Sequence, residues 1–212
     1  MSSQRILNAV FLLSAVLVLS ACKTSTPSPA QPSEHSLSGL AAQHVVLLPT
    51  YIVRVVPGLG WTLPRLTDVA RTQDTDIGAA FADRAIRTWI MPSRLDSSYR
   101  RNPTYATDPH TLAEEPLRSP TLGIDQRLPE PIASQLRTLI ALHDDVRLVL
   151  APVELRMEPT TGGGRAVLRL VLVDARMSSV RWVGEVTSDA APAFGPAVTA
   201  SVASKLAGVI AP

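Results

Sequence analysis

Apolar residues form four extended runs along the chain, and each run predicts a strand. The runs are rich in Val, Ile and Leu, as strands covered on both faces are, and they occupy residues 44–56, 146–157, 166–175 and 180–187. Pro49 should bend or interrupt the first of them. The last three follow one another with short connections, one of them a glycine-rich loop, so we expect an antiparallel meander.

The third run has the clearest alternation of side chains. Leu168, Leu170 and Leu172 point to one side of a strand, while Val171 and Val173 point to the other. Because both sets are apolar, we expect this strand to be central and covered on both faces.

Apolar side chains spaced three to four residues apart predict three helices. The predicted helices cover residues 76–86, residues 131–143 and a C-terminal stretch that begins at Pro196. Ile77 and Phe81 mark the buried face of the first helix. A continuation of that helix to Met91 competes with a short strand at 88–91.

The order of these elements predicts the α/β class. We expect a single domain over residues 44–212, with a mixed, mostly antiparallel sheet of about five strands and about three packed helices. Residues 93–129 form a polar, proline-rich insertion with only short helical possibilities. Long irregular segments are uncommon in compact domains unless they carry function or are disordered. The insertion is therefore our first candidate for a binding surface.

The insertion contains a small basic and aromatic cluster. Its members are Arg94, Tyr99, Arg100, Arg101 and Tyr105. Arginine and tyrosine are enriched where proteins bind one another. We predict a partner-binding surface here, and the alternative is a solvated loop whose tyrosines pack locally.

The N-terminus has the organisation of a secretory signal. Arg5 gives it positive charge, residues 6–19 are apolar, and Ser20 and Ala21 supply the small side chains that a signal peptidase requires. The apolar run is shorter than the roughly 20 residues that a spanning helix needs. The alternative is an uncleaved anchor helix with an incidental cysteine.

The sequence Leu-Ser-Ala-Cys at residues 19–22 resembles a bacterial lipobox. The resemblance implies that the thiol of Cys22, the only cysteine of the chain, takes a diacylglycerol, and that cleavage removes residues 1–21 before the new amino group is acylated. Several acyl chains hold a protein on a membrane far more firmly than one. Lys23 follows the cysteine, where many diderm bacteria place an aspartate to retain a lipoprotein in the inner membrane. By this resemblance we expect the periplasmic face of the outer membrane.

Residues 22–43 are rich in Ser, Thr, Pro and Ala and have no apolar period. We expect a lipidated N-terminus followed by a flexible tether. Lipidation of Cys22 leaves no thiol for a disulfide. The charges nearly balance, with 20 Lys and Arg against 18 Asp and Glu. This balance argues against nucleic-acid binding, which needs a clustered basic surface.

No constellation of residues indicates an enzyme. The sequence has no Gly-x-Ser-x-Gly elbow, and the glycines at 162–164 lack the Lys-Ser or Lys-Thr of a phosphate-binding loop. The short spacings between histidine and carboxylate are His110 with Glu114 and His143 with the two acids that follow it. Four scattered histidines do not indicate a zinc site. We therefore predict no catalytic residue, no metal and no cofactor.

Two adjacent strands carry a second resemblance. The segment LRLVLVDAR at 168–176, followed by VRWVGEV at 180–186, is similar to a strand-turn-strand of envelope lipoproteins, and VVLLP at 45–49 is similar to their first strand. This group includes the curli-secretion lipoprotein, the penicillin-binding-protein activator lipoproteins and the N-terminal domain of the Tol translocation protein. The resemblance implies an α/β periplasmic domain.

We therefore predict a membrane-anchored periplasmic lipoprotein that binds or helps assemble an envelope protein complex without catalysis. Its partners would be membrane lipid, through acylated Cys22, and an envelope protein. The second hypothesis is an auxiliary lipoprotein of a transporter that binds lipid or another small molecule, because the chain also resembles such lipoproteins. The third is a hydrolase that uses His110 or His143 with neighbouring acids.

Overall fold

The computed structural model describes residues 37–212. The predicted signal segment, Cys22 and most of the predicted tether lie outside these residues. The described chain forms a mixed five-stranded sheet with helices packed on it, which confirms the predicted α/β class. The strands are β1 (Val45–Leu47), β2 (Val53–Val55), β3 (Leu148–Thr160), β4 (Gly163–Asp174) and β5 (Ser179–Thr187). The helices are α1 (Leu66–Asp83), α2 (Pro92–Arg101), α3 (Ile132–Ala141) and α4 (Pro196–Ile210), with a 3-10 helix at Glu115–Arg118.

The first predicted strand is broken into two. β1 and β2 both pair in parallel with β3, β1 near its start and β2 near its end, and Pro49 lies in the interruption between them. The other three strands form the predicted antiparallel meander, with β4 between β3 and β5. β4 is therefore the covered, central strand that its alternation predicts.

A bulge in β3 reverses which of its side chains face each side of the sheet. The pairing of β3 with β4 shifts between Pro152 and Glu154. Before this shift Val149 packs in the core on one face, and after it Leu155 packs in the core on the other, although both positions are odd-numbered. The extra residue explains why no single period of two runs through the whole strand.

Helices α1 and α4 cover the first face of the sheet. Ile77 and Phe81 of α1 and Val202 and Leu206 of α4 lie in one core cluster with the leucines of β4. The predicted C-terminal helix is confirmed, and Val198, Val202 and Leu206 are among its buried residues.

The insertion covers part of the second face of the sheet. Leu95 of α2, Leu117 of the 3-10 helix and Ile132 and Leu136 of α3 share a core cluster with Val171 of β4. The description of residues 93–129 as irregular is thus corrected in part, because α2 and the 3-10 helix are ordered elements with buried leucines.

Helix α1 begins at Leu66, ten residues before the predicted start, and ends at Asp83. Its buried stripe is Val69, Gln73, Ile77 and Phe81. Gln73 interrupts the apolar period. Because of this polar residue, apolar spacing alone does not predict the first two turns of the helix. The helix does not continue to Met91. Of the short strand predicted at 88–91 the structure has a single bridge, in which Ile90 pairs in parallel with Val46.

Residues 37–43 belong to the domain, which corrects the C-terminal end of the predicted tether. Leu37 is fully buried and Leu40 is 6% exposed. The indole nitrogen of Trp89 donates a hydrogen bond of 3.0 Å to the carbonyl of Leu40. Both leucines are buried in the core cluster on the first face of the sheet. This burial of apolar surface holds residues 37–43 against the domain. Among residues 37–212, no helix is both long and apolar enough to cross a bilayer.

Candidate functional site

The predicted partner-binding residues lie on α2 and on the turn that follows it. Ile90 fixes the start of this helix to the sheet, since its backbone exchanges hydrogen bonds with Leu47 and Val45 of β1 at 2.9 and 2.8 Å. Pro92 stands in the first turn, where a missing N–H costs nothing. Leu95, 3% exposed, anchors the helix in the second-face core.

The arginines of α2 are on its outer side. Arg94, Arg100 and Arg101 are exposed, and Arg94 lies two turns before Arg101 on the same side of the helix. Within the described chain, no carboxylate is at ion-pair distance from any of the three. Arg101 donates one hydrogen bond of 3.2 Å, to the carbonyl of Ser97. Their charges are therefore open to solvent.

Two tyrosines flank these arginines. Tyr99 is half-buried, whereas Tyr105 is 77% exposed in the turn after the helix. The amide of Tyr105 donates a hydrogen bond of 3.1 Å to the carbonyl of Asn102, which holds the turn on the end of α2. We call Arg94, Tyr99, Arg100, Arg101 and Tyr105 the arginine surface. The structure brings all five predicted residues onto one helix and its adjoining turn.

His110 pairs with Asp96 rather than with Glu114. Nε2 of His110 lies 2.9 Å from a carboxylate oxygen of Asp96, the only acidic residue of α2. Glu114 instead forms an ion pair of 3.3 Å with Arg118. The close spacing of His110 and Glu114 in the sequence did not identify the true partner, because the loop folds back along α2.

A second carboxylate, that of Asp74 in α1, is hydrogen-bonded to Thr50, which lies between β1 and β2. One of its oxygens accepts hydrogen bonds from the amide of Thr50 at 2.9 Å and from the Thr50 hydroxyl at 2.6 Å. Burial raises the pKa of Asp74 to about 6, although the Thr50 hydrogen bonds and the charge of His110 act in the opposite direction. No local sequence pattern indicates this contact.

Thr50, Asp74, Asp96 and His110 form what we call the polar cluster. The charges of Asp96 and His110 both act on Asp74, so three elements meet here: α1, α2 and the loop after α2. Tyr51 also holds the loop, since its hydroxyl donates a 3.0 Å hydrogen bond to the carbonyl of Pro109. Burial raises the pKa of Tyr51, and the charges of Glu114 and Asp108 add to the effect.

The polar cluster has the histidine and carboxylate of a general base and its orienting acid. A nucleophilic mechanism also needs a hydroxyl or thiol within hydrogen-bond reach of the histidine. In the part of the chain that the structure describes, no such group is hydrogen-bonded to the His110 ring. The contacts that the cluster does make join Thr50 to α1 and the loop after α2 to α2 itself.

His143, the other histidine with acidic neighbours in sequence, lies beside an open groove of about 430 Å³. No carboxylate among residues 37–212 is at ion-pair distance from it. Burial lowers the pKa of His143, and the charge of Arg94 lowers it further, against an opposing effect of Asp144. No group of three or more potential metal ligands occurs in the described residues.

A second open groove, of about 550 Å³, lies where β1 and β3 begin. Among the side chains that line it are His44, Asp145, Arg147, Asp174 and Arg181. Asp174 is 1% exposed, and its carboxylate accepts hydrogen bonds from Arg147 Nε at 2.6 Å and from the Met177 amide at 3.0 Å. Burial opposes ionisation, but these hydrogen bonds lower the pKa of Asp174. Asp174 thus stabilises the turn between β4 and β5.

No protein-family model and no curated protein matches this sequence. The fold is similar to that of the PelC dodecamer from Paraburkholderia phytofirmans, at 13% sequence identity and a TM-score of 0.38, over 82% of this chain and 94% of that chain. It is also similar to the LpoB C-terminal domain from Salmonella enterica, at 12% identity and a TM-score of 0.37, over 71% and 87% of the two chains. Lipoprotein GNA1162 from Neisseria meningitidis matches at 13% identity and a TM-score of 0.32, over 68% and 78%. Similarity of this extent assigns the chain to no family.

Proposed function

We propose that this protein is a lipid-anchored periplasmic lipoprotein that binds an envelope protein through the arginine surface and has no catalytic activity. The anchor would be acylated Cys22, on the periplasmic face of the outer membrane. The observation that carries the proposal is the sequence Leu-Ser-Ala-Cys at 19–22, which ends an apolar run behind a charged N-terminus.

In this proposal residues 23–36 act as the tether. A flexible chain of that length spans about 20 Å on average. The domain could then meet a partner close to the membrane.

Two observations favour protein binding over the alternatives. Four of the eight residues that line the groove at the start of β1 are charged, whereas sites for lipids and other apolar ligands are mostly apolar. The polar cluster has no nucleophile at His110, which disfavours a hydrolase that uses this histidine. The arginine surface, by contrast, offers the residue types that dominate protein interfaces.

The anchor is tested by replacing Cys22 with Ser and fractionating the cells. We expect Cys22→Ser to move the protein from the membrane to the soluble fraction, with an unchanged thermal unfolding midpoint. Lys23→Asp is the matched variant, since it leaves the cysteine in place and should move the protein from the outer to the inner membrane. The mass of the native N-terminal peptide must also show acyl chains. An unacylated native chain that retains residues 1–21 would contradict the proposal.

A further inference from the structure

The charge of the arginine surface is not neutralised by the acids of its own insertion. Asp96 pairs with His110 at 2.9 Å, and a carboxylate oxygen of Asp108 accepts the amide of the same histidine at 2.9 Å. Glu114 pairs with Arg118. Asp125 pairs with Arg181. Among the described residues no ion pair joins any acid of the insertion, including Glu115, to the guanidinium groups of α2.

Eight of the fourteen arginines that the structure describes outside α2 have a carboxylate partner. Arg54, Arg71, Arg118, Arg137, Arg147, Arg156, Arg165 and Arg181 each form an ion pair. On α2, three neighbouring arginines of one helix have none. Two of them lie in its last turn, where a positive charge is favourable beside the helix carboxyl end. This local effect accounts for Arg100 and Arg101 but not for Arg94 in the first turn.

The guanidinium groups of the arginine surface favour a ligand that carries carboxylates. A guanidinium group binds a carboxylate through two parallel hydrogen bonds, and its planar fork makes this pairing directional. Tyr105 adds an exposed ring that can bury apolar area while its hydroxyl stays hydrogen-bonded. Arginine and tyrosine together are the common anchors of protein interfaces.

A membrane surface fits these residues less well. Basic segments that bind anionic lipids have about four to eight positive side chains. The arginine surface has three, and Leu95, the leucine of this helix, is buried in the core rather than free to enter a bilayer.

We infer that the arginine surface binds an acidic segment of the envelope partner, with the arginines paired to Asp or Glu side chains and Tyr105 packed at the edge. This inference rests on the proposed function and specifies its binding chemistry.

The test is photocrosslinking in cells that make the full chain. A photoreactive benzoylphenylalanine replaces Tyr105, and a second protein carries it at Met177, which is 55% exposed on the turn between β4 and β5. We expect the probe at position 105 to give an adduct with one envelope protein. The crosslinked peptide should be rich in Asp and Glu.

Charge reversal then tests the arginines themselves. Arg94→Glu, Arg100→Glu and Arg101→Glu combined should lower the yield of this adduct about tenfold or more. The matched control reverses three exposed arginines outside α2, with the same change in net charge, as Arg65→Glu, Arg87→Glu and Arg176→Glu. The control should keep the yield, and both triple variants should unfold at the temperature of wild type. Replacing the acids of the partner peptide by Lys should restore the adduct with the α2 triple variant.

The outcomes separate the two proposals. If neither probe yields an envelope protein, the proposed function is wrong. If only the Met177 probe does, protein binding stands and the arginine surface is not its site. An adduct at position 105 that survives charge reversal, or that joins a peptide without acids, overturns the acidic partner. An adduct with lipid at that position assigns the surface to the membrane instead.

Discussion

The indole of Trp182 occupies the space in which a side chain at Gly184 would lie. A Cβ built on Gly184 falls 3.0 Å from Cε2 of Trp182 and nearer still to Cζ2 and Cη2. The two residues are two positions apart on β5, so they share one face of the strand. This contact gives a physical reason for the Trp-x-Gly pattern at 182–184, which carried the resemblance to envelope lipoproteins.

We therefore expect Gly184→Ala to destabilise the protein by about 1–3 kcal/mol, because the methyl group displaces a 96%-buried indole. Urea unfolding, followed by tryptophan fluorescence, measures the change. Gly60→Ala is the matched control, since nothing lies within 4 Å of a Cβ built there. If Gly184→Ala is as stable as wild type, Trp182 does not rest on this glycine. In a Trp182→Ala background, the cost of Gly184→Ala should largely disappear.

Asp74 should make the stability of the domain depend on pH. Its pKa is raised from 3.8 to about 6, so the folded protein binds this proton more tightly than the unfolded chain. The stability that the carboxyl contributes is fully present below pH 3.8 and is lost as the pH rises through about 6. Asp74→Asn keeps an oxygen to accept the Thr50 hydrogen bonds but cannot ionise.

The free energy of unfolding of Asp74→Asn, relative to wild type, should therefore increase between about pH 4 and pH 7, by at most roughly 3 kcal/mol. Urea denaturation at several pH values gives this difference. Asp83→Asn, an exposed acid on the same helix, is the control with which the profile is compared. A difference that stays flat across the range would contradict the raised pKa of Asp74.

Gln73 carries an unpaired amide within the buried stripe of α1. The residue is fully buried, and neither Nε2 nor Oε1 has a hydrogen-bond partner in the described chain. A buried, unsatisfied polar group costs about 1–3 kcal/mol. We expect Gln73→Met, which has a similar shape, to stabilise the protein by about 1 kcal/mol or more.

Thermal unfolding of the two proteins measures this gain. Gln135→Met is the matched control, since Oε1 of Gln135 accepts a 2.8 Å hydrogen bond from the amide of Ala113 and its loss should destabilise the protein. A less stable Gln73→Met protein would show that the Gln73 amide is hydrogen-bonded in solution.

Asp174 should have the opposite pH dependence to Asp74. Its pKa is lowered, so its contribution to stability is present above the ordinary pKa of 3.8 and is lost as the pH falls below it. We expect Asp174→Asn to cost about 2–4 kcal/mol at pH 7, because the buried carboxylate holds both Arg147 and the Met177 amide.

The cost should diminish as the pH falls below 3.8, because the carboxylate then loses the stability that its ionised form contributes, and urea unfolding at pH 7 and at pH 3 tests this. Asp125→Asn provides the control, as it breaks an ion pair with Arg181 in which both side chains are more than half exposed. That variant should lose no more than about 1 kcal/mol. Equal losses for the two variants at pH 7 would contradict a structural role for Asp174.

Local periodicity predicted the elements whose buried faces are apolar throughout. Along β4, Leu168, Leu170 and Leu172 follow one another on one face, although Arg169 interrupts the valines of the other, and that strand lies between two others as expected. The start of α1 was missed because Gln73 stands where the apolar period requires a hydrophobic residue. The break after β1 was anticipated from Pro49, but the bulge in β3 that accompanies it leaves no signal in the sequence.

The arginine surface could be predicted because its five residues are close together in the chain and one helix presents them. The polar cluster could not, since Thr50 and Asp74 are 24 residues apart and Asp96 and His110 are 14 apart. Such contacts depend on how α1, α2 and the following loop pack on the sheet. No period or motif in the sequence encodes that packing.

The sequence by itself determined the α/β class, the meander of the last three strands and the neighbouring arginines of α2, because each follows from the order of residues over short distances. Only the tertiary structure decided that those arginines have no carboxylate partner among the described residues. Asp96 and Glu114 are near the arginines in the chain, but His110 pairs with Asp96 and Arg118 with Glu114. The free charge of α2 is thus a property of the fold.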